Sequence, residues 1–271
     1  MHLDLHLHST CSDGSLAPAA LAVAARRAGL GAIALTDHDT TAGIAAARRS
    51  AEAEGGPLVI AGVELTSSLD GAEVHLLGYG VDPEHVGLSA FMARGGALRR
   101  ERVAAIVGRL QDLGVRITVE EVRVEEGCVA VGRPHVARAL QRLGVVPNFQ
   151  EAFNRYLRTG GPAFVPSRGP DVREAIAAVR AAGGVSVWAH PRLEDTRSFG
   201  RLAAEGLDGV EVLRPSVEAA VSVVLEEEAR GHRLLVTGGS DWHGAARPAL
   251  GSWYVTEKHV GAFLERIGVA A

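Results

Sequence analysis

Four separate apolar runs in this chain end on the same kind of residue. Gly31–Thr36 (GAIALT) runs into Asp37-His38-Asp39, and Pro57–Val63 (PLVIAGV) stops at Glu64. Val185–Ala189 leads to His190, and Arg233–Thr237 (RLLVT) opens into Gly238-Gly239-Ser240-Asp241-Trp242-His243. The runs are short and apolar throughout, and segments of helical period separate them. That pattern predicts an α/β fold with a parallel sheet covered on both faces. When a parallel sheet closes into a barrel, the C-terminal ends of its strands converge on one mouth. Asp37, His38, Glu64, His190, Asp241 and His243 would meet there.

The opening stretch adds to the set. Polar and apolar residues alternate from His2 to His8, the period of a strand. His6 and His8 therefore share a face about 7 Å apart, within reach of one metal ion. Leu3, Leu5 and Leu7 are expected in the core. Asp13 and His75 supply two more groups of the same types. Nitrogen and carboxylate ligands without thiolate suit Zn²⁺, Mn²⁺ or Fe²⁺ and do not choose among them. So large a set exceeds the ligands that a single catalytic zinc takes. Two or three divalent ions with a shared carboxylate are expected. Such clusters serve displacement at phosphorus: they polarise phosphoryl oxygens, lower the pKa of a bridging water and stabilise the leaving alkoxide.

The rest of the chain divides around this set. Helices are expected over Ala17–Gly29 and Thr41–Glu54, and a further strand over Val74–Gly80. From 81 to 164 the alternation breaks, with helices expected at Ser89–Leu113, Thr118–Glu125, Arg133–Leu143 and Asn148–Tyr156 and no apolar strand. It resumes with helix Asp171–Ala182, a helix near Thr196–Glu205, strand Gly209–Leu213 carrying Glu211, helix Ser216–Arg230, strand Ser252–Thr256 and a last helix. The expected organisation is a metal-binding barrel of residues 1–80 and 165–271, with 81–164 inserted as a helical cap.

Composition excludes several functions. A net charge of −4 gives no basic field to recruit long nucleic acid, so a nucleotide would have to be held locally. Two isolated cysteines, Cys11 and Cys128, make no disulfide framework and no CxxC. The opening has no signal-peptide pattern, and no apolar window of about 18 residues occurs, so a soluble cytoplasmic protein with no membrane partner is expected. The arginines at 94, 99, 100 and 102 read as a solvated helix face.

His6-x-His8, Ser12-Asp13-Gly14, Thr36-Asp37-His38-Asp39, Glu64, His75, Ala189-His190-Pro191 and Ser240-Asp241-Trp242-His243 together resemble the ordered motifs of the polymerase-and-histidinol-phosphatase (PHP) family. The resemblance spans residues 2–80 and 165–243. It implies a distorted (β/α)7 barrel and a metal-dependent phosphoesterase. Carried over by position, His6 and His8 would bind one ion with Glu64 and Asp241. Glu64 would bridge to a second ion held by His75 and His190, and Asp13, His38 and His243 would hold a third. Glu64, His190 and Asp241 would carry the catalytic step, attack of a metal-bridging hydroxide. Asp4 and Asp39 would orient imidazoles, and Glu211 either joins them or simply ends a strand.

The segment 81–164 narrows the resemblance. Gly132-Arg133-Pro134-His135, the helix Gln150–Tyr156 and Gly161–Pro166 are similar to the PHP branch that hydrolyses 3′,5′-nucleoside bisphosphates and trims short RNA from the 5′ end. Arg133 at a helix start is suited to a second phosphate, and His135 to the same substrate. Many members of that branch carry Lys where this chain has Gly161. Histidinol-phosphate phosphatase is the alternative enzyme reading. A non-catalytic PHP domain that binds metal or nucleotide is the alternative outside enzymes.

Overall fold

The computed structural model describes residues 1–122, 127–244 and 249–269. Its strands are β1 (His2–Leu7), β2 (Ala32–Leu35), β3 (Leu58–Leu69), β4 (Ala72–Tyr79), β5 (Val185–Trp188), β6 (Gly209–Leu213), β7 (Leu235–Gly238) and β8 (Val255–Thr256). They form one sheet in the order β7-β6-β5-β4-β3-β2-β1-β8. Just past β7, the Trp242 N–H donates to the His6 carbonyl at 3.3 Å, and the Trp242 carbonyl accepts the His8 N–H at 3.0 Å. This brings the end of the sheet back beside β1 and all but closes a distorted barrel.

The sheet is not parallel throughout, as the apolar runs had implied. β4 lies antiparallel to both β3 and β5, and β8 antiparallel to β1. The cause sits at Asp70-Gly71, where both residues have positive φ (51° and 80°) and turn the chain within two residues. So short a turn leaves no room for a crossover helix, and the strand must return antiparallel. The run expected to stop at Glu64 is also longer. β3 pairs with β2 from Leu58 to Ala61 and with β4 from Gly62 to Leu69. Glu64 thus lies mid-strand, just past the end of β2, where His38 bridges to it.

The helices are α1 (Pro18–Arg27), α2 (Ile44–Glu54), α3 (Val86–Asp112), α4 (Arg133–Arg142), α5 (Phe149–Ala152), α6 (Val172–Ala181), α7 (Phe199–Ala204), α8 (Ala219–Gly231) and α9 (Glu257–Arg266). Leu21, Ile44, Leu88, Ile176, Phe199 and Leu225 from six of them share one core with the outer face of the sheet. Inside the barrel, Leu3, Leu5, Leu77, Tyr79 and Val187 pack against Phe263 and Leu264 of α9. Leu7 departs from the expected alternation and joins the outer core, because β1 shifts register against β2 between Asp4 and Leu7.

A third core has no part in the barrel. Val103, Ile106, Val107 and Leu110 of α3 pack with Val136 and Leu140 of α4, Ala152 and Leu157. α3 therefore spans two cores: Leu88, Phe91 and Met92 at its start belong to the barrel side. Gly95 marks the crossing, and a Cβ there would stand 2.9 Å from the Asp39 carboxylate. Residues 118–122 form a turn with non-helical flanks and not the start of a helix, with the Glu121 carboxylate accepting the Thr118 N–H at 2.8 Å. The remainder of that expected helix, 123–125, lies outside the described residues. After α5 the chain continues as a π-helical turn over Phe153–Leu157. Among the described residues no helix is long and apolar enough to cross a membrane.

Candidate metal centre

The strand ends deliver the expected side chains to one place. Three overlapping groups have ligand atoms that all lie within 4.8 Å of one another: His6, His8, Glu64 and Asp241; His38, Glu64 and His75; and His8, Asp13, His38 and His243. His190 lies beside the second group, with Nε2 3.0 Å from Glu64 Oε1 and 3.2 Å from His75 Nδ1. Backbone conformation aims several of these groups. Asp39, His190 and Asp241 have positive φ (46°, 36° and 55°), a left-handed geometry that costs a non-glycine residue energy and that collects at functional sites. Gly239 is required by contact rather than by its dihedral angles, since a Cβ there would stand 2.2 Å from His6 Cβ.

Buried acid groups brace one imidazole and the loops that carry the rest of the centre. Glu211, fully buried on β6, meets His6 Nδ1 at 2.9 Å through one carboxylate oxygen and accepts the His190 backbone N–H at 2.9 Å through the other. That leaves His6 Nε2 facing the centre. Asp37 accepts the Ser9 N–H and the hydroxyls of Ser9 and Ser12 at 2.6–2.7 Å, which pins the loop after β1. Asp4 accepts the Ser240 and His6 N–H groups, at 2.8 and 3.3 Å, and burial pushes its pKa up to about 6. Asp39 accepts the Thr66 N–H and hydroxyl together with Arg99 Nε.

What remains at the middle is a set of atoms without hydrogen bonds. His6 Nε2, His8 Nε2, His38 Nδ1, Asp13 Oδ1 and Glu64 Oε2 are all buried and unpartnered. Glu64 Oε2 stands 3.4, 3.2 and 3.1 Å from His6 Nε2, His8 Nε2 and His38 Nδ1, and Asp241 Oδ1 stands 3.3 Å from both of the first two. Each such orphan costs about 1–3 kcal/mol when nothing answers it. Convergent nitrogen and carboxylate atoms answer a cation, so the residues present fit divalent metal.

The charges agree. Burial opposes ionisation of Glu64, Asp13 and Asp241, yet the surrounding imidazoles hold all three well below the usual carboxylate range. Burial lowers His75 and His243, but Glu64 and Glu73 on one, and Asp13 and Asp241 on the other, raise them to about 10. Burial and the neighbouring Arg99 charge hold His38 well below its usual value, which keeps it in the neutral form a metal requires. The centre is open on one side, where the Asp241, His190 and His243 side chains keep 40%, 35% and 32% of their exposure.

A cavity of about 550 Å³ opens beside it, walled by His75, His190, Glu73, Arg133, Phe164 and Trp188 among others. The Arg133 guanidinium lies 5.6 Å from the centre of the Phe164 ring, and Arg102 lies 5.9 Å from the same ring.

A family model described as the PHP domain matches residues 4–102. Over 247 residues the chain is 36% identical to the 5′-3′ exoribonuclease of Haemophilus influenzae, covering 89% of each protein. The chain belongs to the PHP family. It is also 31% identical, over 89% of its length and 87% of the relative's, to the 3′,5′-nucleoside bisphosphate phosphatase of Chromobacterium violaceum. A solved structure from Bifidobacterium adolescentis, assigned as a metal-dependent phosphoesterase, superposes with a TM-score of 0.88 at 36% identity, covering 97% of this chain and 96% of that one. The PHP centre described above is thus that of a metal-dependent phosphoester hydrolase using divalent metal.

Sequence reasoning and the PHP centre differ around the insertion. His135 does not line the cavity: it is buried, its Nδ1 accepts the Gly132 N–H at 3.0 Å, and its Nε2 meets the Ser12 carbonyl at 3.0 Å. The arginine face expected in solvent turns partly inward. Arg99 reaches Asp39 at 2.6 Å and Arg102 reaches Glu73 at 3.1 Å, with side chains only 11% and 13% exposed. Glu73 was not anticipated, although it stands two residues before His75 on β4 and so on the same side of the strand. At Gly161 a Cβ would meet the carbonyl oxygens of Tyr156 and Arg158 at 2.6 and 2.8 Å, so this loop has no place for the lysine of the resembling branch.

Proposed function

We propose that this enzyme removes the 3′-phosphate of 3′,5′-nucleoside bisphosphates and trims short RNA from its 5′ end. The observation that carries the reading is Arg133, held over Phe164 on the wall of the cavity that His75 and His190 also line. A fixed guanidinium at that place suits a phosphate that is bound and not cleaved. The names of the relatives, an exoribonuclease and a bisphosphate phosphatase, support the same substrate class.

In this reading His6, His8, Glu64 and Asp241 hold one ion, Glu64, His75 and His190 a second, and Asp13, His38 and His243 a third. Mn²⁺, Zn²⁺ or Fe²⁺ held there would activate a water for attack and offset charge on the phosphoryl group. The protein's own groups do the positioning. Glu64 sits between the ligand groups, and Glu211 fixes His6 and the backbone of His190. Asp241, the most open acid of the cluster, would accept a proton from the attacking water, and His190, on the cavity wall, would face the phosphoryl oxygens. Residues 81–164 act as a cap that brings Arg133 to the barrel mouth. His135 supports that role from behind by tying the start of α4 to Ser12.

Phosphate release from adenosine 3′,5′-bisphosphate with added Mn²⁺, wild type beside Arg133→Ala, tests this. Rapid release with a mutant defect confined to substrates bearing the second phosphate is expected. Comparable or faster turnover of histidinol phosphate by the wild type would discard the bisphosphate reading in favour of histidinol-phosphate phosphatase.

A further inference from the structure

A carboxylate on the wall of a cavity that receives a polyanion works against binding unless it has a task. Glu73 is such a group. Its Oε1 lies 3.2 Å from His75 Nε2, and its Oε2 lies 3.1 Å from Arg102 Nη1. Glu73 thus contacts one guanidinium and one imidazole, and Arg133, on the same Phe164 ring as Arg102, adds its positive charge nearby. Arg102 is not saturated by this arrangement, because its Nη2 is buried without a partner.

We propose that Glu73 is a specificity-determining residue: in the free enzyme its carboxylate engages Arg102, and it releases Arg102 when a nucleoside 5′-phosphate arrives beside Arg133. This rests on the reading that the uncleaved phosphate binds at Arg133. The exchange sets a threshold for entry. A ligand with a phosphate at that position replaces the lost ion pair with Arg102, whereas a ligand without one leaves Glu73 in place. The same carboxylate keeps its contact with His75 Nε2, so the nitrogen on the other side of that ring, Nδ1, stays directed at Glu64.

Adenosine 5′-monophosphate keeps the phosphate assigned to Arg133 and lacks the one assigned to cleavage, so it is the probe. Its affinity for the metal-loaded, full-length protein is measured by calorimetry for wild type, Glu73→Gln, Glu73→Asp, Arg102→Gln and Arg133→Ala. Glu73→Gln keeps the hydrogen-bonding shape without the charge and is expected to bind about tenfold tighter. Glu73→Asp keeps the charge and stays near wild type. Arg102→Gln leaves Glu73 unopposed and weakens binding by about tenfold, which tests the exchange even where Glu73→Gln fails to fold. Unchanged or weaker binding by a folded Glu73→Gln, while Arg133→Ala has lost affinity, overturns this inference alone. An equal gain in Glu73→Asp does the same. Undiminished binding by Arg133→Ala overturns the substrate reading and this inference with it.

Discussion

The barrel mouth and the helical segment above it are built on different principles. At the mouth, side chains are fixed by backbone and by buried acids: strand ends, left-handed residues at Asp39, His190 and Asp241, Glu211 against His6, and Asp37 pinning the loop after β1. The segment from Val103 to Ala163 has an apolar core of its own. It and the adjoining turns of α3 meet the mouth through polar struts: Arg99 to Asp39, Arg102 to Glu73, Arg138 to the Asp13 carbonyl at 2.6 Å and His135 to the Ser12 carbonyl. The convergent polar centre and a separately packed element strutted to it thus draw on different cores, and the proposed function assigns the chemistry to the first and the choice of substrate to the second. The chemistry and the choice of substrate should thereby be separable.

Breaking the mouth has the largest effect. Glu64→Ala is expected to reduce turnover of every phosphoester by about 10²–10³-fold or more, with bound metal lost by elemental analysis. Full metal content with near-wild-type turnover would contradict the assignment of Glu64 to the shared position. Glu211→Ala touches no substrate, yet should cost about 10–100-fold on an aryl phosphate and on a nucleoside bisphosphate alike. An unequal loss would mean that β6 also takes part in selection.

Changes in the inserted segment should divide the two substrates. Arg133→Ala removes a charge-assisted contact and is expected to lower kcat/KM for the bisphosphate by about 10–100-fold, leaving an aryl phosphate unaffected. Leu140→Ala, deep in the segment's own core, should destabilise it by about 2–5 kcal/mol. Aryl phosphate turnover below the melting transition should persist, and its loss in step with the bisphosphate would join the two regions into one unit.

The smallest effect is a proton count. In the metal-free protein His75 and His243, at about 10, are charged at pH 7.5, and metal requires them neutral. Despite burial, His6 is likewise held well above its ordinary value by Glu211, Asp241 and Glu64. Metal loading in weak buffer should therefore release more than two protons, fewer as pH approaches 10, and metal affinity should rise with pH over that range. The linkage to stability has the opposite slope. His75 and His243 have folded pKa values above the ordinary 6.5, so their contribution to the metal-free fold is complete below pH 6.5 and lost as pH rises through about 10. Thermal melts of metal-free protein at the two ends of that range check the sign.

Much of this was readable from the chain. The apolar runs ending in Asp37, His190 and Asp241, and the alternation that sets His6 and His8 on one face, are local patterns with periods of their own. They determined the α/β class and pointed to side chains that the fold brings together at one mouth. Only the tertiary structure decided the rest. The reversal of β4 depends on a two-residue turn, Asp70-Gly71, which an apolar strand does not announce. Whether Glu211 ends a strand or braces His6, and whether Arg99 and Arg102 face water or Asp39 and Glu73, depends on residues more than twenty positions away. Periodicity orders neighbours along the chain. Charge pairing and burial are settled by what the fold places opposite.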